Sequence, residues 1–95
     1  MNIFDIYLNK IKILVKELEN KNLIQLPSNL NSLSVDIPPP SIQSDISTNI
    51  AMILSKANKK NPMEIGEIIK KKLLEDKDIL EIHIIKPGFL NIKLN

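Results

Sequence analysis

Phe89, Asn91 and Lys93 are the residues of this chain whose types and spacing could do chemistry. From Phe89 onward the run Phe-Leu-Asn-Ile-Lys-Leu alternates strictly. Side chains along a strand point to opposite faces with a period of two, so Leu90, Ile92 and Leu94 can share a buried face. Phe89, Asn91 and Lys93 are then left on the other. One aromatic, one amide and one cation make a poor core. They suit stacking on a nucleobase, hydrogen bonding to its edge and contact with a phosphate. The same alternation also fits a Phe89 covered by a loop or by a neighbouring domain.

The elements that must hold this row can be read from periodicity and caps. A first helix is predicted from about Ile3 to Asn20, because Phe4, Tyr7, Leu8, Ile11, Leu14, Val15 and Leu18 follow the spacing of a core-facing stripe. Asn2 is its candidate N-cap, and Asn20 to Asn22 its stop. After a loop-like stretch, Leu33, Val35 and Ile37 alternate with Ser34 and Asp36 as a short half-buried strand. Pro38-Pro39-Pro40 ends it and reads as a stiff connector, since consecutive prolines cannot donate to a ladder. A second helix is expected to begin near Asp45 or Ser47, with Ser44, Asp45, Ser47 and Thr48 as possible caps. Its inward stripe would be Ile46, Ile50, Ile53, Leu54 and Ala57. Asn61-Pro62-Met63-Glu64 combines an N-cap, a proline at the first helical position and an acid three residues after the cap. The third helix then buries Ile65, Ile68, Ile69 and Leu73, with Gly66 marking close packing. Lys70, Lys71 and Lys72 give it a solvated basic flank.

Two strands close the chain, and their register follows from patterning. A two-residue Pro87-Gly88 loop would set Ile84 against Asn91, a core residue against a polar one. Pairing Ile84 with Leu90, Ile82 with Ile92 and Leu80 with Leu94 satisfies both faces, and it aligns His83 with Asn91 and Glu81 with Lys93. This register needs a three-residue loop or a bulge, with Gly88 at positive φ. Helix, strand, helix, helix, strand, strand predicts a two-layer α+β domain, about three helices packed on one face of a small, three- to four-stranded antiparallel sheet. The open face would carry Phe89, Asn91 and Lys93.

Composition bounds the remaining possibilities. Ninety-five residues suit a single domain spanning 1–95, at 43% hydrophobic and 25% charged. The net charge of +2 is too small to establish a nucleic-acid partner, and all thirteen basic residues are lysine. With no cysteine, thiolate metal sites and disulfides are excluded. No apolar run reaches the ~18 residues of a membrane span, and no cationic-then-apolar signal opens the sequence. A cytoplasmic monomer with no membrane association is expected. His83 lacks partners for nucleophilic or metal chemistry. Glu64, Glu67, Glu75 and Asp76 fit capping and solvation. Gly66 and Gly88 lie in different elements and cannot form a phosphate-binding glycine loop.

Three segments carry a family resemblance: Asp45-Ile46-Ser47-Thr48-Asn49-Ile50-Ala51-Met52, Asn61-Pro62-Met63-Glu64-Ile65, and Pro87-Gly88-Phe89-Leu90-Asn91-Ile92. In order and spacing the chain resembles the N-terminal additional domain of arginyl-tRNA synthetase, closely from Val35 to Leu94. It departs where that family has His-Gly before the aspartate and often an aromatic after it; Gln43, Ser44 and Ile46 stand there. The resemblance implies recognition of the tRNA D-loop at the outer corner of the molecule. Phe89 would stack on an exposed base and Asn91 would bond its edge. Lys86 and Lys93 are candidate phosphate contacts on electrostatic grounds. It further implies that catalysis, with ATP as substrate, belongs to a separate catalytic domain of a parent enzyme. The His-Ile-Gly-His-like and Lys-Met-Ser-Lys-Ser-like signatures of class I synthetases are not in this sequence. No catalytic residue, metal or cofactor is therefore expected in this chain, which reads as a domain excised from a longer ligase. A free-standing RNA-binding module and a protein-docking domain that uses Phe89 and Ile85 are the rival classes.

Overall fold

The structure is a computed structural model, and it describes residues 2–95. Three helices lie against one face of a four-stranded sheet. Helix α1 spans Ile3–Asn20, α2 Ile50–Asn58 and α3 Pro62–Leu73. Strands β1 (Val35–Asp36), β2 (Ile46–Thr48), β3 (Ile79–Ile85) and β4 (Phe89–Leu94) pair in the order β1-β2-β4-β3, all antiparallel. The expected two-layer α+β architecture is what forms.

Helix ends obey their local chemistry. The Asn2 side chain accepts from the Asp5 amide at 2.9 Å. At the other end of α1, Asn22 takes a left-handed φ of 60°. The Asn22 amide donates to Glu19 O and the Leu23 amide to Leu18 O, the two bonds of a Schellman closure. Asn61 caps α3 by accepting from the Met63 amide at 2.8 Å, with Pro62 in the first turn. The stripe of α1 buries Tyr7, Ile11, Leu14, Val15 and Leu18. α3 buries Ile65, Ile69 and Leu73, and Gly66 lets it approach the sheet, where an added Cβ would sit 3.2 Å from Ile84.

One small polar cluster holds α1 to the turn after α3. The Tyr7 hydroxyl donates to Asp76 Oδ2 at 3.2 Å, and Lys10 Nζ donates to the same oxygen at 2.8 Å. Burial and the Asp76 charge push the Tyr7 phenol up to about 12. For Asp76 burial opposes ionisation, but Lys10, the Asp78 amide and Tyr7 outweigh it and hold the carboxyl below its usual value. In the lysine run, Lys72 is half-buried and reaches Glu75 at 3.2 Å and Glu17 at 3.6 Å, so the basic flank is partly neutralised.

The second helix begins later than its cap-rich lead predicts. Ile46–Thr48 is strand β2, held between β1 and β4, and α2 starts at Ile50. Tertiary pairing overrides the capping signal there, because Ile46 and Thr48 fit the buried face beside Ile92 and Leu90. The Thr48 hydroxyl still accepts from the Ile50 amide, at 3.3 Å. The first strand is also shorter than the alternation suggests, and Ile37 is 77% exposed instead of half-buried.

The terminal hairpin takes the patterned register: Ile84↔Leu90, His83↔Asn91, Ile82↔Ile92 and Glu81↔Lys93. It departs at one end. Ile79, not Leu80, faces Leu94, because an irregularity between Ile79 and Glu81 turns Ile79 into the core and leaves Leu80 55% exposed. Leu94 is accordingly only half-buried. Lys86-Pro87-Gly88 forms the three-residue connection, closed by the Gly88 amide on Ile85 O at 2.8 Å. The Lys86–Pro87 peptide is cis, and Gly88 has φ +148°.

Candidate nucleic-acid interface

The outer sheet face is built by residues from all four strands. Leu90 and Ile92 point to the helices, so Asn91 points away from them, beside Ser47 of β2 and His83 of β3. Asp36 of β1 lies next to Ser47 in the same row. Toward the hairpin, Phe89 faces Ile85 across the ladder; toward the chain end, Lys93 faces Glu81.

This face is not open as the strand pattern predicts. Residues 37–45 cross it and cover Asn91, which is 2% exposed. Phe89 is 39% exposed, Lys93 is half-buried and Lys86 stands exposed at the hairpin. The expected outward row therefore has a sunken middle. The crossing segment is held by a turn in which the Ile42 amide donates to Pro39 O at 2.9 Å. A hollow of about 400 Å³ opens on one side of it, with Pro39, Ile42, Ile85 and Phe89 as apolar walls and Asp36, Ser47 and Asn91 as polar ones. A second hollow, of about 340 Å³, opens on the other side among Gln43, Ser44, His83 and Lys93. Ile42, Ile85 and Asn91 border both.

Asn91 is chemically the most exceptional of these residues. Its Oδ1 is buried without a hydrogen-bond partner, a state that costs a polar atom about 1–3 kcal/mol. No other buried side-chain nitrogen or oxygen among the described residues is left so. The charges at the rims are mixed. Lys86 and Lys93 take part in none of the ion pairs among the described residues, whereas His83 Nε2 lies 3.4 Å from Glu81 Oε1. Among the described residues no group of three or more His, Cys, Asp or Glu side chains could hold a metal ion.

Asp45 and Asn49, both in the first motif, work as fasteners. The Asp45 amide donates to Ile92 O at 2.9 Å and its carboxylate accepts from the Leu94 amide at 2.7 Å, which locks β2 against β4. Asn49 Oδ1 accepts from the Ser34 amide at 2.9 Å and its Nδ2 donates to Ser32 O at 3.0 Å, which holds the approach to β1. Asp36, Ile42, Gln43, Ser44 and Ser47 join the groove walls although nothing in their sequence pattern marks them as site residues. Recognising Ile-Ser-Thr as a β-branched, alternating strand would have placed Ser47 beside Asn91.

Three helices on one face of a four-stranded antiparallel sheet, with the opposite face grooved, define a small α+β domain. Residues 6–94 match the family model described as the arginyl tRNA synthetase N terminal domain, and the chain belongs to that family. It is 53% identical over 94 residues to the arginine–tRNA ligase of Pelagibacter ubique (strain HTCC1062), covering 98% of this chain and 16% of that protein. Against the arginine–tRNA ligase of Chelativorans sp. (strain BNC1) identity is 39% over 94 residues, covering 99% of this chain and 16% of the relative. With that of Ehrlichia chaffeensis it is 38% over 96 residues, covering 100% and 17%. The chain thus spans about one sixth of the length of these curated relatives. No helix among the described residues is long and apolar enough to cross a membrane.

Proposed function

We propose that this chain is a tRNA-recognition domain, residues 1–95, of an arginine–tRNA ligase, and that its outer sheet face receives a D-loop nucleotide at the outer corner of the tRNA. Phe89 supplies the stacking surface, Asn91 accepts a hydrogen bond from the base edge, and Lys86 and Lys93 meet phosphates. Arginine is joined to its tRNA, with ATP, in a separate catalytic domain. This domain needs no metal or cofactor of its own and acts as a cytoplasmic monomer.

The observation that carries the reading is Asn91, which lines a groove beside a half-exposed aromatic ring and whose Oδ1, just beneath that surface, has no partner. The covering segment 37–45 has to shift for a ligand donor to reach Oδ1, and the bond then made recovers part of the cost of burying it. An apolar wall beside a single directed polar group is how unstacked bases are held.

Titration of a tRNA(Arg) transcript against the chain tests it. Phe89→Ala is expected to remove about 1–3 kcal/mol of stacking. Asn91→Leu removes the acceptor at similar volume and should weaken binding while leaving the fold intact. Unchanged binding by both variants, with the fold intact, would refute the reading and favour protein docking through Ile37, Ile85 and Phe89.

A further inference from the structure

The second hollow differs in chemistry from the first although they share a floor. The hollow beside Phe89 is walled largely by Pro39, Ile42 and Ile85. Across Ile42, the walls combine Ile42 and Ile85 with hydroxyl, amide, imidazole, carboxylate and ammonium groups: Ser44, Gln43, His83, Glu81 and Lys93. Asn91, with its unpaired Oδ1, borders both. One half of the cleft thus suits a flat apolar ring, and the other a unit that carries hydroxyls and a negative charge.

We infer that the second hollow is a ribose–phosphate subsite, holding the 2′-hydroxyl and phosphate beside the nucleotide whose base lies against Phe89. The inference rests on the base-binding reading of the first hollow and extends it to the sugar. A ribose 2′-hydroxyl both donates and accepts, which matches a carboxylate (Glu81) and an amide (Gln43) lining one hollow. Glu81 by itself would repel a phosphate. Lys93 lies opposite it in the ladder and His83 Nε2 is 3.4 Å from its carboxylate, so an ammonium and an imidazole flank the acid. Lys93 is half-buried and enters no ion pair among the described residues, which leaves its ammonium available to a phosphate. A cleft of this composition distinguishes RNA from DNA at one nucleotide.

In an NMR titration of the isotope-labelled chain, the Gln43 side-chain amide and the Ser44 backbone amide report on the second hollow, the Phe89 backbone amide on the first, and the Asn91 side-chain amide on both. The probes are a tRNA(Arg) transcript and a set of transcripts with single 2′-deoxy substitutions walked through the D-loop. With the unsubstituted transcript, both groups of signals should shift. One deoxy position should abolish the shifts at Gln43 and Ser44, preserve those at Phe89, and weaken binding by roughly 2- to 10-fold, one hydrogen bond's worth. Gln43→Ala should weaken the unsubstituted transcript to a similar degree and make binding indifferent to that deoxy substitution. Shifts confined to Phe89 and Asn91, or a deoxy scan without effect, would overturn the ribose subsite and leave the base-binding reading standing. Shifts at neither hollow would overturn both.

Discussion

Asn91 and Tyr7 are both buried polar residues, and their partners separate their roles. Tyr7 has Asp76 for its hydroxyl and Lys10 4.9 Å from its ring centre, so it serves the fold. Tyr7→Phe is expected to cost about 0.5–1.5 kcal/mol at neutral pH, measured by denaturant unfolding. Because the folded phenol titrates near 12 against an ordinary 10.0, the folded state keeps a proton that the unfolded state loses. Its contribution is whole below pH 10 and disappears as pH rises toward 12. The difference in stability between the wild type and Tyr7→Phe should therefore shrink over that interval. Asp76 has the opposite sign: its depressed carboxyl stabilises the fold above its ordinary value near 3.8 and loses that effect as pH falls further. Asn91 Oδ1 has no partner, so Asn91→Leu should leave stability unchanged or raise it by up to about 1–3 kcal/mol. A loss of more than that range would assign Asn91 to the fold instead of to a ligand.

At the scale of elements, the β3–β4 hairpin determines where Phe89 stands. Gly88 sits at φ +148°, and a Cβ there would lie 2.6 Å from the ring carbon Cβ of Pro62. Gly88→Ala combines backbone strain with a clash against a rigid ring at the start of α3. It is expected to destabilise by about 1–3 kcal/mol and to weaken RNA binding in step. Gly66→Leu should destabilise by a similar amount through overpacking against Ile84 and Leu90. The hairpin register was legible in the sequence because one wrong step would set Ile84 against Asn91. Helix α1 and the Asn61-Pro62 start of α3 were legible for the same reason, since period and caps agree. The β2 strand was not: Ser44, Asp45, Ser47 and Thr48 are good capping residues, and only pairing with β4 decides against a helix. The cover over Asn91 was also illegible, because a proline-rich connector carries no periodicity to say which face it crosses.

For the whole molecule, the two layers divide the labour. Helices and inner sheet face hold the core, and the groove on the other face is free of it. Such an arrangement lets the site carry an unpaired acceptor without breaching the core. The D-loop contact proposed for this face makes a definite spatial claim. Ile85 faces Phe89 across the ladder and is 41% exposed, so a photoreactive group there samples the ligand while Phe89 and Asn91 stay in place. The most direct measurement is Ile85→p-benzoylphenylalanine, cross-linked to a tRNA(Arg) transcript and mapped by primer extension. Cross-links are expected at D-loop nucleotides and should be lost with Asn91→Leu. Cross-links confined to the acceptor stem or the anticodon arm, or none at saturating tRNA, would contradict the assignment of this face.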